Sequence, residues 1–245
     1  MGRSLNRKME FKHFTVHDDK CAMKIGTDAV LLGAIATHPN PKHILDIGTG
    51  SGIVALMLAQ RFPNSSVSAV ELENGAALQA SYNFTNSPFY ERLKCINDSF
   101  QNFSSNKTID KFDLIVSNPP FYDGTSKSPY EARNMARHEN YLKIDELFSG
   151  IENVIKDEGV FIVIWPVERE KVLTQSAAQH SYYQVYRIEI RATSNHESVR
   201  IISGFSKVRP PEIIESEIIL ESGQGENRMF TPKYLKLVKD FFLKA

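Results

Sequence analysis

Cysteine is nearly absent. Cys21 and Cys95 are the only two in 245 residues, and neither sits in a C-x-x-C pair. That excludes a disulfide framework and a thiolate zinc site, and it suits a reducing compartment. Net charge is absent too, with 29 Lys and Arg against 29 Asp and Glu. No global field draws the chain toward a polyanion, so any nucleic acid must be met by a local patch. No apolar run approaches the length that spans a bilayer, and the start, "MGRSLNRKMEFKHF", lacks the apolar centre of a secretory signal. Internal repeats, low-complexity tracts and clear linkers are missing as well. The expectation is a single cytoplasmic domain, monomeric and without a bound metal.

Short apolar runs are present, and they alternate with amphipathic stretches. "HILDIG" (43–48), "SVSAVEL" (66–72), "LKCIN" (93–97), "FDLIVS" (112–117) and "GVFIVIW" (159–165) have the composition of strands buried on both faces. Between them, 52–62, 74–84 and 144–156 have helical character, and 167–180 follows as a further helix. This alternation predicts an α/β fold, a parallel sheet with helices on both faces. Residues 182–192 and 198–207 then read as two strands with a polar link too short for a helix, so they should pair antiparallel. The sheet is expected to have seven strands. The tail ends in a helix with Thr231 as its N-cap and Pro232 at its first position.

"LDIGTGSGI" (45–53) follows the first of these strands and opens the first of these helices. Glycines at Gly48, Gly50 and Gly52 let the backbone turn sharply and approach a ligand closely. Their spacing is G-x-G-x-G and not the G-x-G-x-x-G of dinucleotide binders. Asp46 stands just before the loop, where an acid suits a cationic amino group better than a pyrophosphate. Glu71, at the end of the second run, is placed to accept from ribose hydroxyls, and Asp98, beyond the third, from an adenine amine. An ammonium, a ribose and an adenine without phosphate describe S-adenosylmethionine.

The fourth run ends in "SNPPFYDG" (117–124). Proline cannot continue a central strand, so Pro119 and Pro120 stop it on a stiff corner, with Asn118 and Phe121 on either side. With "DIGTGSG", "VELE" and "NPPF" in this order, the chain resembles the class I S-adenosylmethionine-dependent methyltransferases that modify planar amino groups. The resemblance implies their Rossmann-like, mostly parallel sheet with an antiparallel last strand, and S-adenosylhomocysteine as product. "FKHFTVHDDKCAMKIGTDAVLLGA" (11–34), "LMLAQR" (56–61) and "ARHE" (136–139) are similar to the bacterial family that methylates N6 of the adenine 3′ of the anticodon in a valine tRNA. By that resemblance Asn118 and the Pro119 carbonyl accept from the exocyclic amine, Pro120 stiffens the corner, and Phe121 stacks on the base in place of the family's usual Tyr. Lys24, Thr27 and Asp28 belong to a segment folding over the cofactor, with Thr27 also read as a helix N-cap. The release-factor glutamine methyltransferases share the NPP chemistry but carry a helical domain before the glycine loop. About 45 residues precede it here, too few for one.

Positive charge for RNA is offered by two segments. Arg7, Lys8 and Lys12 lie in the first, interleaved with Phe11, His13 and Phe14; Arg133, Arg137 and His138 lie in the second, after the proline corner. Basic, aromatic-bearing stretches beside a base pocket fit an anticodon loop, whose bases are already partly unstacked. The chain divides on this reading into a basic segment 1–24, a catalytic core 25–207 and an extension 208–245.

Overall fold

The computed structural model describes residues 7–119, 143–223 and 225–243. In chain order the elements are β1 (Lys8–Glu10), β2 (Thr15–His17), α1 (Thr27–Ile35), β3 (His43–Ile47), α2 (Ile53–Arg61), β4 (Ser66–Glu71), α3 (Asn74–Thr85), β5 (Leu93–Asn97), α4 (Phe100–Ser105) and β6 (Phe112–Ser117). After the proline corner come α5 (Ile144–Val154), β7 (Ile155–Pro166), α6 (Glu170–Gln179), β8 (Tyr183–Arg191), β9 (Arg200–Ser206), β10 (Ile214–Ile219), β11 (Glu221–Ser222), β12 (Met229–Phe230) and α7 (Pro232–Val238).

The main sheet runs β10-β8-β9-β7-β6-β3-β4-β5. All neighbouring pairs are parallel except those of β9, which is antiparallel to both β7 and β8. The antiparallel pair expected from the sequence is therefore present, but among the described residues the sheet has eight strands and not seven. The eighth is β10, drawn from "EIIESEIIL". It lies at the sheet edge, and within it only Ile218 is buried. Such a strand shows no continuous apolar run because one side of it never leaves water.

Successive residues of the central strands face opposite layers, as a period of two requires. Ile44, Leu114, Val116, Ile162 and Ile164 pack with α1, α2, α3, α7 and the β1–β2 hairpin. Leu45, Ile47, Ile115, Phe161 and Val163 pack with α4, α5 and α6. The hairpin and α7 join the first layer through Phe11, Phe14, Tyr234, Val238 and Phe241. Phe11 stacks on Phe14 at 4.7 Å and on Phe242 at 5.7 Å. Phe11 and Phe14, expected to meet RNA from the N-terminal segment, are thus buried in protein, and that part of the reading is corrected; His13 between them is exposed.

Two helix starts test the capping arguments. Thr231 caps α7, its hydroxyl accepting from the Tyr234 N–H at 3.2 Å with Pro232 in the first turn. Thr27, by contrast, is the first helical residue and not a cap. Gly26 holds the capping position in an extended conformation, and no side chain caps the helix. Thr27 arrives one residue too late for its hydroxyl to reach the second or third amide.

Where α1 crosses α2, a Cβ on Gly33 would lie 2.7 Å from Met57 Sδ and 2.9 Å from Met57 Cβ. Met57 is fully buried, and its Cβ is fixed to the α2 backbone and cannot swing aside. Gly33→Ala should lower stability by about 1–3 kcal/mol, read as a lower urea midpoint at unchanged slope. Met57→Ala in the same chain opens the space the methyl needs, so the double variant should lose less than the two singles summed. Additive losses would show that the contact does not limit the packing.

Candidate active site

The carboxyl ends of β3, β4, β5 and β6 lie side by side, because the parallel register pairs Ile47 with Val70 and with Ser117, and Glu71 with Asn97. Loops leaving these ends converge on one edge, where open α/β sheets bind ligands. Asp46, Gly48, Gly50, Gly52, Glu71, Asp98, Asn118 and Pro119 are all brought there. Pro120, Phe121, Arg133, Arg137 and His138 lie outside the described residues.

All three loop glycines have positive φ: 70° at Gly48, 57° at Gly50 and 83° at Gly52. At Gly52 space also excludes a side chain, since a Cβ would sit 2.5 Å from Phe84 Cε1. At Gly48 and Gly50 none of the described residues comes within 4 Å of the same position, which leaves open room above the loop. The loop amides point inward. Gly48 and Thr49 donate to the Val70 carbonyl, Gly50 donates to Glu71 Oε2 at 2.8 Å, and Gly52 donates to the Thr49 carbonyl. A loop whose N–H groups are engaged in this way is a poor phosphate cradle, in keeping with its glycine spacing.

Asp46 is buried at the base of this loop, only 1% exposed. Its Oδ2 accepts from the Thr49 hydroxyl at 2.6 Å. Burial raises its pKa to about 7, against the lowering effect of the Thr49 hydrogen bond and of one from the Ala55 N–H. No cation faces it among the described residues, so a ligand ammonium would meet a carboxylate that lacks a counter-charge. Glu71 accepts from the Glu73 N–H through Oε1 as well as from Gly50. A carboxylate has about four acceptor sites, so it can hold the loop and still receive hydroxyls. Asp98 Oδ1 accepts from the Ser99 N–H at 2.8 Å and from Asn102 Nδ2 at 3.1 Å. Leu72, Asn97, Asp98, Ser99, Gln101 and Asn102 line a depression of about 420 Å³ beside it. Together the buried acid, the open glycine floor and the two outer acids fit S-adenosylmethionine.

On the other side of the loop, the Ser117 hydroxyl donates to the Ile47 carbonyl at 3.0 Å and ties the end of β6 to the end of β3. Asn118 follows it directly. Its Oδ1 is buried and has no hydrogen-bond partner among the described residues. A buried, unsatisfied amide oxygen carries a desolvation cost of about 1–3 kcal/mol and marks a place where a donor is wanted.

The N-terminal residues divide. Lys24 donates from Nζ to the carbonyls of Asp18 and Cys21 at 2.5 and 3.0 Å, closing the turn 18–24 on itself. Asp28 accepts from Arg200 Nε at 2.9 Å, joining α1 to β9. Thr27 is exposed at the start of α1. Arg7 lies 3.5 Å from Asp18, and Lys8 pairs with Glu10 at 2.6 Å. Lys12 is not brought to the site. It lines a separate depression of about 620 Å³ with Gln60 and Arg61, at the end of α2 that lies about 13 Å from the glycine loop.

Sequence reasoning missed Asn83 and Gln79, buried on α3. Asn83 Nδ2 donates to the carbonyls of His17 and Ser51, both at 2.8 Å, while its Oδ1 accepts from the His17 N–H at 3.0 Å. Gln79 accepts from the Lys20 N–H. The available signal was two polar residues four apart on the face of α3 that also carries Ala76 and Ala80. Cys21, in the same N-terminal stretch, has its thiol pushed up to about 12 by burial, with Asp18 and Glu71 adding to it.

Residues 21–164 match the methyltransferase small domain family. The chain is 38% identical to the tRNA1(Val) (adenine(37)-N6)-methyltransferase of Flavobacterium johnsoniae, over 96% of this chain and 99% of that one. It is 36% identical to the protein of the same name from Trichodesmium erythraeum, over 97% and 98%. Its fold is shared with a predicted O-methyltransferase from Agrobacterium tumefaciens, with a TM-score of 0.68 and 15% identity over 87% of this chain and 96% of that one. TYW2 from Pyrococcus horikoshii, solved in complex with MeSAdo, overlays with a TM-score of 0.58 at 12% identity over 85% of this chain and 74% of that one. A glycine floor over a buried acid, beside an unsatisfied asparagine oxygen, is thus set in a chain whose sequence kinship runs nearly end to end: it belongs to the methyltransferase small domain family and to the tRNA1(Val) (adenine(37)-N6)-methyltransferases.

Proposed function

We propose that this protein transfers a methyl group from S-adenosylmethionine to N6 of adenine 37, in the anticodon loop of tRNA1(Val). The observation that carries the mechanism is the buried Asn118 Oδ1 at the end of β6, without a partner among the described residues. An exocyclic adenine amine is a weak nucleophile because its lone pair is delocalised into the ring. Asn118 Oδ1 and the Pro119 carbonyl, each accepting one N–H, draw that nitrogen toward a tetrahedral geometry and free the lone pair. The same two oxygens stabilise positive charge as it develops, so the gain is made in the transition state. The Ser117–Ile47 hydrogen bond and the prolines hold these acceptors in place before substrate arrives. Phe121 stacks on the extruded base.

S-adenosylmethionine supplies an electrophilic methyl group on a sulfonium, and S-adenosylhomocysteine is left when the new C–N bond has formed. Asp46 faces its ammonium, Glu71 its ribose and Asp98 its adenine. Lys24 shapes the segment over the site through its carbonyl contacts, Thr27 and Asp28 start the helix behind it, and the proton lost from the amine passes to solvent. Arg7 and Lys8, with Arg133, Arg137 and His138, give the anticodon loop cationic partners. The chain meets its tRNA as a monomer in the cytoplasm.

Labelled S-adenosylmethionine offered to unmodified tRNA and, separately, to peptide release factor tests this directly. Label should appear in tRNA as N6-methyladenosine, and a tRNA1(Val) with guanine at position 37 should take none. Label in the release factor alone would overturn the substrate. Asn118→Ala should lower kcat by about 100-fold or more while the Kd of S-adenosylhomocysteine stays within about threefold. Loss of cofactor affinity in that variant would place the residue in the wrong subsite.

A second expectation concerns Asp46. Its folded pKa is raised, so between about pH 4 and 7 the native chain binds a proton that the unfolded chain has released. Stability of the ligand-free protein should therefore fall through this group as pH rises across that window. Asp46→Asn removes the titration, so the variant should gain on wild type as pH rises from about 4 to 7, by on the order of a few kcal/mol. Urea unfolding at several pH values reads the difference. A difference independent of pH would mean that Asp46 is already ionised throughout.

A further inference from the structure

The least explained polar contacts near the site are those of Asn83. It is 1% exposed and sits on α3, a helix that carries none of the site residues expected from the sequence. Its amide group nevertheless makes three hydrogen bonds, all to backbone. Two of them go to one residue, the N–H and the C=O of His17, as a neighbouring strand would provide. The third goes to the Ser51 carbonyl, in the middle of the glycine loop.

His17 ends β2, and the chain after it is closely tied. Asp18 Oδ2 accepts from the Ile25 N–H at 2.9 Å, Lys24 Nζ donates to the Asp18 and Cys21 carbonyls, and Gln79 accepts from the Lys20 N–H. Residues 18–25 thus form one closed strap held to α3 by Gln79 and, through His17, by Asn83. The same helix face sets the loop from below, since Phe84 occupies the space a Cβ on Gly52 would need. One turn of α3 therefore fixes both the strap and the glycine loop.

We propose that Asn83 is a positioning residue for the cofactor: its amide locks strand β2 and the glycine loop at Ser51 into one unit, so that the strap 18–25 and the loop order together when the cofactor binds. This rests on the reading of the loop as the S-adenosylmethionine site. The chemistry allows no simple substitute. A carboxylate at position 83 keeps the acceptor for His17 but turns an oxygen toward two carbonyls, and an apolar side chain leaves all three backbone groups unpaired. If the strap and the loop are coupled, the coupling is reciprocal: what orders one must order the other.

The test is binding of S-adenosylhomocysteine by calorimetry, joined to hydrogen exchange at the His17 and Ile25 amides. Wild type should bind, and binding should slow exchange at both amides together with the loop. Asn83→Asp and Asn83→Ala should each raise Kd at least tenfold, while kcat at saturating cofactor stays within about threefold of wild type and the KM for tRNA is unchanged. A residue of merely structural importance would lower the melting temperature without this split. If neither variant folds, exchange in wild type decides alone, since strap amides indifferent to S-adenosylhomocysteine overturn the proposal. Unaltered Kd in folded variants overturns it as well. If wild type binds no S-adenosylhomocysteine, the reading of the loop fails and the proposal fails with it.

Discussion

The parallel register of β3 with β4 and β6 is the constraint on which the site depends. It places Ile47, Val70 and Ser117 level with one another, so the glycine loop, Glu71 and Asn118 leave the sheet at the same height. A slip of one residue would turn each strand's buried side chains to the opposite layer and separate these ends. The two apolar layers prevent this, because adjacent residues such as Ile44 and Leu45, or Leu114 and Ile115, are each required on their own side. Packing far below the carboxyl edge is therefore what aligns the chemistry at its surface.

The site itself holds polar groups that the fold alone does not satisfy. Among the described residues, Asp46 is buried without a cation and Asn118 Oδ1 is buried without a donor. Folding would be cheaper with apolar residues at both places. The two costs sit on either side of one glycine loop, and they differ in degree: one wants a positive charge, the other a hydrogen-bond donor. In the function proposed above, a sulfonium cofactor with an ammonium and an acceptor with an amine satisfy one each, so that binding completes an electrostatic arrangement the folded chain leaves open, which is preorganisation rather than induced chemistry.

Much of this was legible in the sequence because the central strands are buried on both faces and announce themselves as continuous apolar runs. The loop acids were legible for the same reason, since a strand end can be counted from its run. The edge strand β10 was not, because its exposed Glu215 and Glu217 break the apolar pattern. Phe11 and Phe14 misled for a related reason. Among basic residues they resemble stacking platforms, but they close a hairpin against α7 and the rest of the core. Thr27 misled because a capping preference is local, and Gly26 took the position one residue earlier. Asn83 had a sequence signal only in retrospect: a buried amide on a helix becomes meaningful once its partners, 66 and 32 residues away, are known.

The central claim is that the Asn118 oxygen awaits the amine that is methylated. A crystal structure with S-adenosylhomocysteine and the anticodon stem-loop of tRNA1(Val) measures this most directly. The account predicts adenine 37 turned out of the loop, with its N6 about 2.7–3.2 Å from Asn118 Oδ1. An adenine seated in the site with its amine directed elsewhere, and Asn118 still unpaired, would contradict it.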